Sequence, residues 1–278
     1  MFAPLIWQVA LDDSAWPQSA ERAVEAGFAG VELVIPRPWS DAAAAPDPSW
    51  QSMIEALNGP RARILSLRVE LSEGESSMAA ESSPVDGLIR WTTAGLDAAR
   101  QLGAAAIVID PFALIRQSWP TGGPDHDLTI RTAIEALSEL RFEAQRRATR
   151  IVIDPVASRF LGSPSAARTF VDRINSPWVG MALHAGAGRG MTWGDEWVRA
   201  LGRRIFHVCL SPVPDASGGG SNSGTSKPMG DDMEIANALR EARFSGQVVV
   251  RAKGDPQGSY RSLSRIWSCP QDSGTSAN

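Results

Sequence analysis

Residues 104–112 read AAAIVIDPF, and the same five letters, IVIDP, return at 151–155 inside TRIVIDPVA. Short runs of Val and Ile bounded by proline read as strands buried on both faces. Pro111 and Pro155 carry no N–H, so each stops its strand from pairing further. Each copy therefore ends on an aspartate at a strand edge, Asp110 or Asp154. Such a carboxylate caps the next turn or stands at the mouth of a site. The copies start at 107 and 151, 44 positions apart and roughly one strand–helix unit. They read as convergence on one kind of buried strand, not as a repeat array.

The texture of the two copies recurs along the chain. Apolar runs predict strands at 5–11, 30–35, 63–71, 104–110, 151–154, 179–184, 205–210 and 247–251. Segments with apolar residues at helical spacing predict helices at 15–26, 50–57, 85–102, 128–149, 165–174, 195–201, 231–242 and 260–267. About eight strand–helix units predict a closed (β/α)8 barrel over residues 1–267. An open doubly wound sheet would carry a Gly-rich turn after the first strand, where this chain has ALDDSAW. Residues 214–227, PDASGGGSNSGTSK, read as a flexible Gly/Ser loop after the seventh strand. Residues 268–278 read as a disordered tail.

The chain has 278 residues and a formal net charge of -4, which gives no electrostatic case for a nucleic acid or an anionic membrane as partner. Its two cysteines imply no disulfide framework. The N-terminal run has no basic start and stops at Asp12-Asp13, so the expected location is the cytoplasm.

In a barrel, the strand ends surround the pocket. They supply Gln8, Glu32, Glu70, Asp110, Asp154, His184, His207, Cys209 and Arg251, with Lys253 just beyond. Residues two apart share a strand face, so His207 and Cys209 point one way, as do Arg251 and Lys253. For Glu32 a place at the barrel mouth is preferred, and the alternative is an ion pair with Arg68 or another nearby Lys or Arg. For Asp110 the turn reading is preferred, and for Asp154 the site reading. Trp7, Trp119 and Trp193 lie in or after strands, where a ring could stack on a ligand, although packing is the commoner use of such rings.

The phrases ERAVEAGFAGVEL, AARQLGAAAIVI, WVGMALHAGAG, RIFHVCLSP and KPMGDDMEIANALREARFSGQVVVR, in this order, resemble the xylose isomerase-like barrel superfamily of sugar isomerases and epimerases. The resemblance implies one divalent metal held by Glu, Asp, His and Glu from strands five to eight. Those positions fall on Asp154, His184, Cys209 and Arg251. A further His and a further Asp of the pattern fall on Ala187 and Pro212. Arginine stays protonated and cannot bind a cation. Arg251 is therefore expected to pair with Asp154 or Glu32 across the pocket and fill the metal position.

The expected function is that of a diverged sugar isomerase/epimerase-like protein without the divalent metal or the parent catalysis. It would keep a small anionic, sugar-type ligand. Asp154, His184 and Arg251 are the catalytic candidates. Glu32, His207, Cys209 and Lys253 are the ligand-binding ones. No cofactor is expected. The alternative is zinc, manganese or magnesium, with an Asp154, His184, His207 and Cys209 site suited to zinc. Two rival readings are an active isomerase with a rebuilt site, and a non-enzymatic interaction protein.

Overall fold

The computed structural model describes residues 3–10, 15–36, 63–70, 83–117, 125–155, 160–185, 194–210, 228–251 and 255–267. Eight parallel strands close into one barrel in sequence order. They are β1 (Leu5–Ala10), β2 (Val31–Pro36), β3 (Ile64–Glu70), β4 (Ala106–Ile109), β5 (Arg150–Ile153), β6 (Val179–Ala185), β7 (Ile205–Leu210) and β8 (Gln247–Val250). Closure is made by β1 pairing with β8, with Leu5 opposite Val248 and Trp7 opposite Val250. The described helices are α1 (Trp16–Ala26), α2 (Pro84–Leu102), α3 (Pro111–Gln117), α4 (His126–Arg147), α5 (Pro164–Ile174), α6 (Asp195–Leu201), α7 (Pro228–Glu241) and α8 (Pro256–Trp267). The single barrel expected from the sequence is the fold.

Helices α2, α3, α5, α7 and α8 each begin on proline. Read along the sequence, proline looks like a stop, and the expected helix starts at 85, 165, 231 and 260 fall inside the observed ones. Proline is tolerated in the first helical turn, where its missing N–H has no partner to lose. Helix α3 was absent from the sequence reading for the same reason. Asp110 starts it: its Oδ1 accepts from the N–H groups of Phe112 and Ala113, both at 3.1 Å. The two IVIDP copies do pair side by side, with Ile107 against Ile151 and Ile109 against Ile153. The expected helix at 50–57, the loop at 214–227 and the tail at 268–278 lie outside the described residues.

The alternation of the strands sorts their side chains. Leu33, Leu67, Ile107, Ile151 and Leu183 join Leu88, Leu96, Leu137 and Leu140 of the helices in the main core. Each such side chain, fully buried, stabilises the fold by about 1.5–3 kcal/mol. A second, separate apolar cluster of Ala106, Val108, Val152, Ala182, Phe206 and Cys209 belongs to the barrel interior. Ile6, Val34 and Val249 are buried too, and the polar side chains that share the strand faces of these apolar ones form the site. No described helix is long and apolar enough to cross a membrane.

Candidate functional site

Ser66 and Arg68 alternate with Leu67 and Val69 along β3, so the apolar pair packs on the helices while Ser66 and Arg68 turn inward. Arg68 is buried and bridges the barrel. Its Nε donates to Glu32 Oε1 at 2.7 Å and its Nη1 to Asp154 Oδ2 at 2.5 Å. Its Nη2 reaches Cys209 Sγ at 3.5 Å. Ser66 Oγ donates to Glu32 Oε2 at 3.1 Å and Gln8 Nε2 to Glu32 Oε1 at 2.7 Å. On the far side of Asp154, His184 Nε2 lies 2.8 Å from Oδ1.

The network runs from the depth of the barrel to the C-terminal ends of the strands. Glu32 is the second residue of β2, whereas Asp154 follows the last residue of β5. His184 and Cys209 are each the last but one in their strands and lie opposite each other in register. Below them, His207 Nε2 meets Gln247 Oε1 at 2.7 Å, and Gln247 Nε2 donates to the Leu65 carbonyl. His207 Nδ1 is buried with no hydrogen-bond partner among the described residues, 3.7 Å from Glu32 Oε2.

Burial alone would push the Asp154 carboxyl up. The His184 and Arg68 charges and their hydrogen bonds outweigh it and hold that carboxyl well below the usual range. Burial opposes ionisation of Glu32 too, and Arg68 and His207 beside it bring its pKa below the usual value. Burial lowers the His207 pKa, with Glu32 pulling the other way. Burial pushes the Cys209 thiol up to about 12.

The metal implied by the sequence resemblance can be tested against these residues. Asp154, His184 and Cys209 each offer one ligand atom, all within 4.8 Å of one another. By type they suit zinc. The Arg68 guanidinium, however, stands among them, bonded to one and in reach of another. A fixed cation a few Å away repels a divalent ion. Asp154 and His184 are already bonded to each other, and the thiol is far from the thiolate a metal needs. As arranged, these residues do not fit a divalent metal.

The structure brings together Glu32, Asp154, His184, His207 and Cys209 among the expected site residues. It corrects the role given to Arg251. The guanidinium between Glu32 and Asp154 is that of Arg68, while Arg251 Nε donates to Gln8 Oε1 at 3.1 Å. Arg251 thus reaches Glu32 through Gln8. Trp7 is buried in the main core against Phe28, where no ligand ring could stack on it. Lys253, Trp119, Trp193, Ala187, Pro212 and the Glu70 side chain lie outside the described residues. Arg68 was weighed only as an ion-pair partner for Glu32. The available signal was the polar run Ser66, Arg68, Glu70 at alternate positions of a strand otherwise Ile, Leu and Val.

The sequence pattern of the xylose isomerase-like TIM barrel family matches residues 20–268. The chain belongs to that family. A search of curated proteins finds no match. Among solved structures, a D-psicose 3-epimerase crystallised in the presence of D-fructose superposes with a TM-score of 0.67 at 12% identity, covering 95% of this chain and 100% of its own. The 3-keto-D-glucoside 4-epimerase YcjR from E. coli gives a TM-score of 0.62 at 14% identity, covering 96% and 100%. The IOLI protein with a bound zinc atom gives 0.62 at 16% identity, again covering 96% and 100%. At these identities the likeness is one of fold.

Proposed function

We propose that this xylose isomerase-like barrel works without a divalent metal, has lost the parent isomerisation and binds a small anionic, sugar-type ligand at the C-terminal mouth. The observation that carries the reading is the Arg68 guanidinium bonded at once to Glu32 and Asp154. It supplies internally the positive charge that a metal would bring. The two carboxylates are spent on it. Proton transfer beside a carbonyl needs a base whose pKa lies near the working pH. Asp154 is held far below that, and Glu32 is lowered and fully buried. Arg251, half-buried at the end of β8, offers a fork suited to a carboxylate or phosphate on the ligand.

The test is the metal content of the purified, unchelated chain, repeated after loading with zinc, manganese or magnesium. Well under one equivalent is expected in each case, with sugar acids and sugar phosphates raising the melting temperature. Near-stoichiometric metal together with EDTA-sensitive epimerisation of a ketose would overturn the reading.

A second reading has its own observation. His184 Nε2 and Asp154 Oδ1, 2.8 Å apart near the mouth, form an oriented imidazole–carboxylate pair. Such a pair could move a proton next to a sugar carbonyl, with Arg251 holding the negative oxygen that develops. Isomerase activity that persists in EDTA and disappears in His184→Ala distinguishes this reading from the first.

A further inference from the structure

A cavity of about 570 Å³ opens at the other end of the barrel, where the strands begin, and four arginines line it. Arg150 opens β5, Arg203 and Arg204 precede β7, and Arg243 lies between α7 and β8. Three connections on one side of the barrel, those entering β5, β7 and β8, therefore deliver cations to one hollow. Among its lining residues the single carboxylate is Asp172, and Arg204 already pairs with it. Arg150 lies over the Phe206 ring, 4.8 Å from its centre. The exposed Arg203 and Arg243 have no ion-pair partner among the described residues. A second cavity of about 390 Å³ shares Arg150, Phe206 and Ser245 with the first and runs under the barrel to His207 and Gln247.

Like charges gathered in one hollow repel, and an anion between them relieves that repulsion. The feature is local, because the chain as a whole carries a net charge of -4. We propose that this N-terminal mouth is a second binding site, for a small phosphate-bearing molecule, separate from the site at the C-terminal mouth. Guanidinium forks match phosphate oxygens in pairs, and Arg203 and Arg243 are the two whose forks are uncommitted. The cavity has the size of a small-molecule site. Concavity in an acidic chain disfavours a nucleic-acid strand, which calls for a basic stripe. A bound anion would strap together the connections that enter β5, β7 and β8, and so stabilise the barrel by mass action.

The probe is inorganic pyrophosphate, titrated calorimetrically into the full chain at low and at near-physiological salt. One saturable site is expected. The double variant Arg203→Ala/Arg243→Ala should weaken it by at least about tenfold. Both residues are exposed, so the variant should keep its fold, checked by thermal melting. Arg22→Ala/Arg131→Ala removes the same charge from α1 and α4 and should leave the affinity within about twofold. Absence of saturable binding overturns the proposal. So does equal weakening in both double variants, or binding of a single-stranded oligonucleotide without binding of pyrophosphate.

Discussion

Arg68 and Asp154 stand 86 positions apart in the sequence and 2.5 Å apart inside the barrel, and both are buried. The pair is half of a three-residue bridge, since the same guanidinium holds Glu32. Burying such charges is costly, and removing one partner leaves the others uncompensated. Arg68→Met should destabilise the fold by about 3–5 kcal/mol, read as a lower urea midpoint. A change within about 0.5 kcal/mol would show that the bridge is not formed in solution.

Removal of the Arg68 guanidinium also bears on metal binding. With the guanidinium removed, Asp154, His184 and Cys209 keep ligand atoms within 4.8 Å of one another. Arg68→Ala should therefore take up cobalt with thiolate absorption bands that vanish in Arg68→Ala/Cys209→Ser. The parent chain should show no such bands. Thiolate–cobalt absorption in the unmutated chain would mean that Arg68 does not exclude the ion.

Acid should weaken the fold in two stages of the same sign. The His207 pKa is lowered by burial, so below about pH 6.5 the unfolded chain takes up that proton first and the folded chain loses relative stability. The Glu32 pKa is lowered too. Its contribution is present above the ordinary carboxylate pKa and is lost as pH falls through the folded value. Melting temperatures should thus decline from about pH 6.5 downward, more steeply below about pH 4.5. Glu32→Gln should flatten the second stage and, by removing the charge that holds the His207 pKa up, deepen the first. An unchanged slope in that variant would assign the acid sensitivity to other groups.

The two Asp-Pro copies should respond differently to mutation. Asp110→Ala removes the bonds to the Phe112 and Ala113 amides at the start of α3, worth about 1 kcal/mol. Ligand binding at the C-terminal mouth should be unaffected. Asp154→Ala unpairs both Arg68 and His184, and should cost about 3–5 kcal/mol and abolish binding. Equal costs at the two positions would contradict the division of labour.

Gly246, just before β8, is tightly enclosed. A Cβ there would come 2.0 Å from the Phe206 carbonyl oxygen, part of the β7 backbone. Backbone cannot yield as a side chain does, so Gly246→Ala should cost about 1–3 kcal/mol in thermal or urea unfolding. A neutral result would mean that β8 can shift away from β7 at no cost.

Much of this protein is written locally. Each apolar run and each helical spacing is complete within a dozen residues, so the eight strands, their order and the barrel were legible. Asp154 and His184 were legible as strand-end polar groups. The helix starts were not, because proline in a first turn looks like proline at a stop. Arg68 was legible only as a partner for Glu32, because nothing in LSLRVE shows that its guanidinium also reaches Asp154.

The sequence by itself determined which side chains share a strand face, because strand alternation is a property of one segment. Only the tertiary structure decided which cation meets which carboxylate. On paper Arg251 is the partner expected for Asp154, and Arg68 enters only as a partner for Glu32. Barrel closure and strand register place Arg68 Nη1 on Asp154 and Arg251 Nε on Gln8. Electrostatic pairing depends on separations of a few Å between strands remote in sequence, and pairing of remote strands sets those separations.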